Sequence, residues 1–277
     1  MEVHNELRRR GFFMKLKDKV AVVTGSGRGI GRAIALTFAK EGAKLVLMAR
    51  TASQLEHVRK EIEALKGDVL TVTGDLSKKA DIENLVAKTI DRFGPPDILV
   101  NNAGVQNRSL TVDCDDDAWQ QVIQTNLIGT FLITKYFLKT MIPRKSGRII
   151  NILSVNAKTG HPFGSAYAAS KHGLLGLTRS LALEMGFLEI PGITVNAICP
   201  GAVRTEMMEG DGGLLEFISK ARGINREEAT KFITDLSVQK RMLEPEEIAG
   251  LALYLASDDA KGITGQAMNI CAGQIMY

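Results

Sequence analysis

Six short runs rich in β-branched and other apolar residues alternate with longer stretches of helical pattern along the chain: VAVVTG (20–25), KLVLMA (44–49), VLTVTG (69–74), DILVNNAG (97–104), GRIINILS (147–154) and ITVNAICPG (193–201). Strands that are apolar almost throughout belong in a sheet covered on both faces. Strand–helix alternation of this kind predicts an α/β chain with a doubly wound parallel β-sheet, whose ligands gather at the carboxyl ends of the strands.

Composition fits one such unit. The chain has 277 residues, is 45% hydrophobic and carries no Pro/Ser-rich linker or low-complexity stretch. It is long enough for one large core, expected over 15–277 after an N-terminal extension of 1–14. The 35 basic and 31 acidic residues are spread along the sequence, and the dense basic cluster Arg8 to Arg10 is confined to the extension, so no nucleic-acid partner is expected. Cys114, Cys199 and Cys271 are odd in number and lack a metal-ligand spacing, which argues for a reducing compartment without disulfides or a metal. No apolar run approaches the ~18 residues of a membrane span and MEVHNELRRRGFF has no signal-peptide core, so a cytoplasmic chain without a membrane partner is expected. The acids of DCDDDAW (113–119) read as the favourable N-terminal charges of a helix starting near Trp119 rather than as metal ligands.

TGSGRGIG (24–31) ends the first strand and opens a helix, the context of a Rossmann-type dinucleotide loop. Gly25, Gly29 and Gly31 allow the tight turn, the approach of a pyrophosphate and close helix packing, with Ser26, Gly27, Arg28 and Ile30 completing the loop around the helix N-terminus. At the end of the second strand, Ala49 stands where an acid would accept both ribose hydroxyls, and Arg50 follows it. With Arg28, Arg50 offers two guanidiniums for a 2′-phosphate, which favours NADP(H) and leaves NAD(H) possible. The alternative is two solvated arginines with surface partners.

These motifs, with NNAG (101–104), Asn126 in TNLIGTF, Ser154, the SAYAASK segment holding Tyr167 and Lys171, and PGAVRT (200–205), resemble the short-chain dehydrogenase/reductase family over residues 15–277. The separations agree as well: Ser154 lies 13 residues before Tyr167, and Asn126 lies 28 before Ser154. The resemblance implies that Asp75, followed by Leu76, contacts the adenine and that Asn102, Ala103 and Gly104 line the adenine–ribose side. It also implies that Pro200, Gly201, Val203 and Thr205 hold the nicotinamide end.

Reducing a ketone with a hydride develops negative charge on oxygen, which needs a proton donor and a hydrogen bond. Tyr167 can supply the first and Ser154 the second. Lys171, one helical turn beyond Tyr167, is expected to favour phenolate by about 3 kcal/mol at ~5 Å and an effective dielectric of ~20. In family members the same Lys bonds the nicotinamide ribose, and Asn126 holds a water that relays protons to it.

Residues 206–236 read as a substrate lid of two short helices hinged at Gly210, Gly212 and Gly213, or as an interface helix pair. With Asn156, His161, Phe163 and Met207 it is expected to wall the substrate pocket, Ser154 standing at its reactive end. The C-terminal GQAMNICAGQIMY resembles the ends of polyketide ketoreductases and 3-oxoacyl-carrier reductases as much as those of some polyol dehydrogenases. The leading expectation is an NADP(H)-dependent reductase of a 3-oxoacyl thioester or similar ketone, working as a homotetramer. A polyol or secondary-alcohol dehydrogenase and a non-catalytic NADP(H)-binding protein are the alternatives.

Overall fold

The computed structural model describes residues 14–277; Arg8 to Arg10 and the rest of the expected extension before Met14 lie outside the described residues. The first strand, β1 (Val20–Thr24), is buried along its whole length, as its unbroken apolar sequence requires. It continues through the glycine turn into α1 (Gly29–Lys40), and the alternation then runs β2 (Lys44–Ala49), α2 (Ala52–Ala64), β3 (Val69–Thr73), α3 (Lys79–Phe93) and β4 (Ile98–Asn101). The second half has α4 (Asp116–Ile123), α5 (Thr130–Met141), β5 (Gly147–Ile152), α6 (Ser165–Phe187) and β6 (Ile193–Pro200). It closes with α7 (Glu206–Glu209), α8 (Leu214–Arg222), α9 (Arg226–Asp235), α10 (Pro245–Ala256) and β7 (Ala267–Ile270).

The seven strands form one parallel sheet in the order β3-β2-β1-β4-β5-β6-β7. Each face carries its own core. On one side Ile34 and Phe38 of α1 pack with Leu55 and Ile62 of α2 and with Ile248, Ala252 and Leu255 of α10. On the other, Ile82 and Leu85 of α3 meet Ile133 and Phe137 of α5 and Leu181 and Met185 of α6. Two βαβ halves running outward from β1 and β4 leave a crevice between those strands, where the chain reverses direction across the sheet.

The expected strands all form. The 206–236 segment is richer than a helix pair: the single turn α7 precedes α8 and α9, and Leu215, Ile218, Ala229 and Ile233 give it a small core with Met242. The acids ahead of Trp119 act as a cap, with Asp115 Oδ1 accepting from the Ala118 N–H at 2.8 Å.

Candidate active site

The crevice is stitched at its floor before any ligand is considered. Thr24 Oγ1 accepts from the N–H groups of Asn102 and Ala103, both at 3.1 Å, and Asn102 Nδ2 donates to the carbonyls of Thr24 and Gly25, both at 3.0 Å. Two glycine positions show why the loop has its sequence. Gly25 has φ +63°, a left-handed conformation that favours glycine, and a Cβ on Gly31 would fall 2.3 Å from the Gly25 carbonyl oxygen.

A groove opens over this floor, lined by Gly25, Gly27, Arg28, Gly29 and Ile30, by Arg50, Asp75 and Leu76, by Asn102, Ala103 and Gly104, and by Tyr167, Lys171 and Thr205. Fourteen positions expected to hold the cofactor thus share one wall system. Ser26 and Gly31 do not face the groove. The Ser26 hydroxyl donates to the Met48 carbonyl at 3.3 Å, and Gly31 is buried beneath Gly25. Pro200, Gly201 and Val203 line the adjoining pocket instead.

The groove fits a dinucleotide. Arg28, at the N-cap of α1, makes no side-chain cap, so the first-turn N–H groups face a glycine-lined space suited to an anion. Neither Arg28 nor Arg50 forms an ion pair among the described residues, and the Arg50 charge is felt by Asp75 across the groove. Burial works against the Asp75 carboxylate, but hydrogen bonds from Ser77 and the charges of Arg50 and Lys78 outweigh it and hold its pKa below the ordinary value.

The four residues expected to be catalytic converge where β5, α6 and the α4–α5 junction meet. Ser154 follows β5 and caps a 3₁₀ turn, its Oγ accepting from the Asn156 N–H at 3.2 Å. Tyr167 lies in the first turn of α6 and Lys171 one turn on, with Lys171 Nζ 5.5 Å from the Tyr167 ring centroid. Lys171 is 3% exposed, and its Nζ donates to the Ile152 carbonyl at 2.8 Å. Asn126 belongs to a π-helical turn, Gln124–Gly129. Its Oδ1 accepts from Val105 N at 2.8 Å, while Nδ2 donates to Val105 O at 2.9 Å and Ser170 Oγ at 3.1 Å. The Ser170 hydroxyl passes the chain on to the Tyr167 carbonyl at 2.7 Å. Both amide protons of Asn126 are therefore engaged by protein.

The electrostatics differ from the expectation that Lys171 brings the Tyr167 phenol toward neutrality. Burial pushes Tyr167 up to about 12, against the lowering influence of the Ser154 hydroxyl and the Arg108 charge, and Lys171 is absent from the groups that move it. Burial likewise draws Lys171 down to about 8. The physical reason is that Lys171 Nζ reaches back to the Ile152 carbonyl while the dry cleft penalises the charged form of each residue.

A second pocket joins the groove, lined by Ser154, Asn156, His161 and Met207 as expected, and by Gln106, Met208, Leu214, Ile233, Leu236 and Gln274, which the sequence does not single out. Phe163 does not line it. Its φ of +63° is strained for a bulky residue and turns the ring onto Phe217 of α8, edge to face at 5.4 Å between centroids, so Phe163 braces the lid from outside. Burial and then the nearby Arg108 charge lower the His161 pKa against a hydrogen bond at Pro162. Ile30, Leu153, Tyr167, Thr205 and Met207 line groove and pocket alike.

Known proteins resemble this chain over nearly its whole length. A 3-oxoacyl-[acyl-carrier-protein] reductase of Synechocystis is 38% identical over 264 residues, covering 95% of this chain and 99% of its own. A D-beta-hydroxybutyrate dehydrogenase of Rhizobium meliloti is 40% identical over 258 residues, covering 92% and 98%. Among solved structures, a point variant of actinorhodin polyketide ketoreductase with NADPH superposes with a TM-score of 0.88 at 39% identity, over 94% of this chain and 98% of the other. The family model for short chain dehydrogenases matches residues 19–212, and with Tyr167 and Lys171 lining a nucleotide-type groove and Ser154 the adjoining pocket, the chain belongs to the short chain dehydrogenase family.

Proposed function

We propose that the protein is an NADP(H)-dependent reductase of a 3-oxoacyl thioester, acting on the ketone and returning the secondary alcohol. The observation that carries this reading is that Tyr167 lines both the nucleotide groove and the second pocket, so one proton-bearing side chain stands where cofactor and substrate would meet. The relatives support the reaction class: an oxidoreductase of CH–OH groups using a nicotinamide cofactor, which when bound supplies the hydride. Two arginines without carboxylate partners among the described residues and the missing acid at Ala49 support NADP(H) over NAD(H).

In this reading the Tyr167 phenol donates its proton to the carbonyl oxygen as charge develops there, and the Ser154 hydroxyl donates a hydrogen bond to the same atom. A phenol held near 12 is fully protonated at neutral pH, which suits the reductive direction. Lys171 keeps two N–H donors beyond its bond to Ile152, enough to hold a ribose hydroxyl and pass a proton to the phenol. Both amide protons of Asn126 are already donated, to Val105 O and Ser170 Oγ, so its side-chain amide has no free donor for a relaying water.

A homotetramer belongs to the same proposal, supported by the exposed apolar side chains Phe131 on α5 and Leu183 and Phe187 on α6; sedimentation measures it directly. The deciding assay offers a 3-oxoacyl thioester, simple ketones and sugar alcohols with each cofactor. Thioester reduction by NADPH is expected, and turnover confined to sugar alcohols overturns the reading. Cofactor binding with no turnover on any substrate favours a non-catalytic role.

A further inference from the structure

The second pocket offers hydrogen bonds but no formal charge. None of the described residues lining it is Lys, Arg, Asp or Glu, and the rest of its wall is largely hydrocarbon, with Met208, Leu214, Ile233 and Leu236 supplied by the lid. Lys171 lines the groove instead. Arg108 is spent on the lid, its Nη1 donating to the Gly212 carbonyl at 2.9 Å and its Nη2 to the Met207 carbonyl at 3.1 Å. A carboxylate entering such a pocket sheds water without meeting a cation, a cost that a neutral carbonyl escapes.

One polar side chain reaches this pocket from beyond β7. Ala272 (φ +52°) and Gly273 (φ +81°) follow one another in the left-handed region and turn the chain back, and the Gln274 N–H donates to the Cys271 carbonyl at 3.0 Å. The turn is held from two sides. At the end of the lid segment the Gln239 N–H donates to the Ala272 carbonyl at 3.1 Å, and Lys158 Nζ donates to the Ala267 carbonyl at 2.9 Å and to Asn269 Oδ1 at 2.8 Å. Gln274 is thereby laid against Gly201, a second lining residue, where a Cβ would fall 3.0 Å from Gln274 Oε1. Its half-buried carboxamide has no hydrogen-bond partner among the described residues, which leaves two N–H donors and a carbonyl oxygen for a ligand. The other carboxamides of the pocket are placed differently. Gln106 Nε2 reaches the Met207 carbonyl at 3.5 Å, and Asn156 stands two residues beyond Ser154, whose Oγ holds its N–H, at the reacting end.

We propose that Gln274 is a specificity-determining residue of the pocket and that the pocket selects uncharged substrates: the carboxamide donates to the C1 carbonyl oxygen of a 3-oxoacyl thioester while the C3 ketone meets Tyr167, and free 3-oxo carboxylates are refused for want of a cation. The assignment rests on the ketoreductase reading of the site.

The test compares wild type, Gln274→Met and Gln274→Lys, with NADPH, on three ketones of matched length: the 3-oxoacyl N-acetylcysteamine thioester, the free 3-oxo carboxylate and a simple ketone without the C1 oxygen. Wild type is expected to favour the thioester over the carboxylate by at least about a hundredfold in kcat/KM. Gln274→Met should lose about five- to fiftyfold on the thioester, chiefly through KM, and less than about twofold on the simple ketone. Gln274→Lys should raise the ratio of carboxylate to thioester at least about tenfold, a gain that a merely structural role would not produce. A wild type that reduces the carboxylate as well as the thioester overturns the selection for uncharged substrates. Equal loss on thioester and simple ketone, or no loss, overturns the role of Gln274 and leaves it a wall. Calorimetric binding of the thioester in the presence of NADP+ separates this proposal from the one it rests on. Binding that weakens in Gln274→Met without any reduction by wild type sinks the reductase reading and keeps the contact; binding indifferent to Gln274→Met removes the contact.

Discussion

The nucleotide groove and the substrate pocket share a wall at Tyr167 but are built from different materials. The groove is formed by strand ends, tight turns and main chain, locked by hydrogen bonds between β1 and β4, so its shape follows from the sheet itself. The pocket is roofed by α7, α8 and α9, whose small core is separate from the two large ones. The cofactor side thus belongs to the sheet itself, and the substrate side to a segment with its own small core. Chemistry that is the same for every substrate needs the first, and selection among substrates needs the second.

The sharpest way to break this division is Tyr167→Phe. Removing the phenol oxygen should cost at least about a thousandfold in turnover while the NADPH dissociation constant moves by less than about threefold, since the proton it carries goes to the reacting carbonyl and not to the dinucleotide. Substantial residual turnover, measured by nicotinamide absorbance, would refute the assigned role. The pH profile comes next. With the phenol pKa raised by burial, the base needed for alcohol oxidation is scarce at pH 7, so oxidation should climb about tenfold per pH unit between ~7 and ~9 while ketone reduction stays nearly flat. Oxidation that is already level at pH 7 would mean that the occupied site holds phenolate.

On the groove side, Arg50→Ala should weaken NADPH about ten- to a hundredfold and hardly touch NADH, and Ala49→Asp should move the preference further toward NADH. Dissociation constants at one salt concentration check both; equal weakening of the two cofactors by Arg50→Ala would make the arginine a surface charge. The smallest effect is expected from Phe163→Ala. Loss of an edge-to-face pair of about 0.5–1.5 kcal/mol should raise KM roughly two- to tenfold with cofactor affinity unmoved, and a change in NADPH binding would show that lid and groove are coupled.

Legibility divides along the same line. Six of the seven strands, the glycine turn, the NNAG floor and the Ser154, Tyr167 and Lys171 constellation can be read from the chain because each depends on residue type at a fixed separation. Gly31 must lack a side chain wherever a helix packs on such a turn, and that requirement shows in sequence. Leu214, Ile233 and Leu236 carry no such mark: an apolar residue on a short helix looks the same whether it faces a core or a cavity, and only the tertiary position of α8 and α9 decides. Gln274 reaches the pocket from beyond β7, a proximity that no local pattern encodes. The burial that raises the Tyr167 pKa escapes sequence reading for a related reason. One helical turn fixes the separation from Lys171, but the dryness of the cleft and the direction of the ammonium group are collective properties.

The strand order also has a temporal meaning. From β1 the sheet extends to β2 and β3 in one direction, then resumes at β4 and adds β5, β6 and β7 in sequence on the other. During synthesis every strand after the first emerges to find a neighbouring edge already made, and the longest closures are those of β4 onto β1 and of β7 onto β6. The exception is α10, whose Ile248, Ala252 and Leu255 cover the apolar face that α1 has presented since near the start. A ribosome stalled before Pro245 would therefore carry a largely assembled sheet with one greasy flank uncovered, the form on which a chaperone or protease would act.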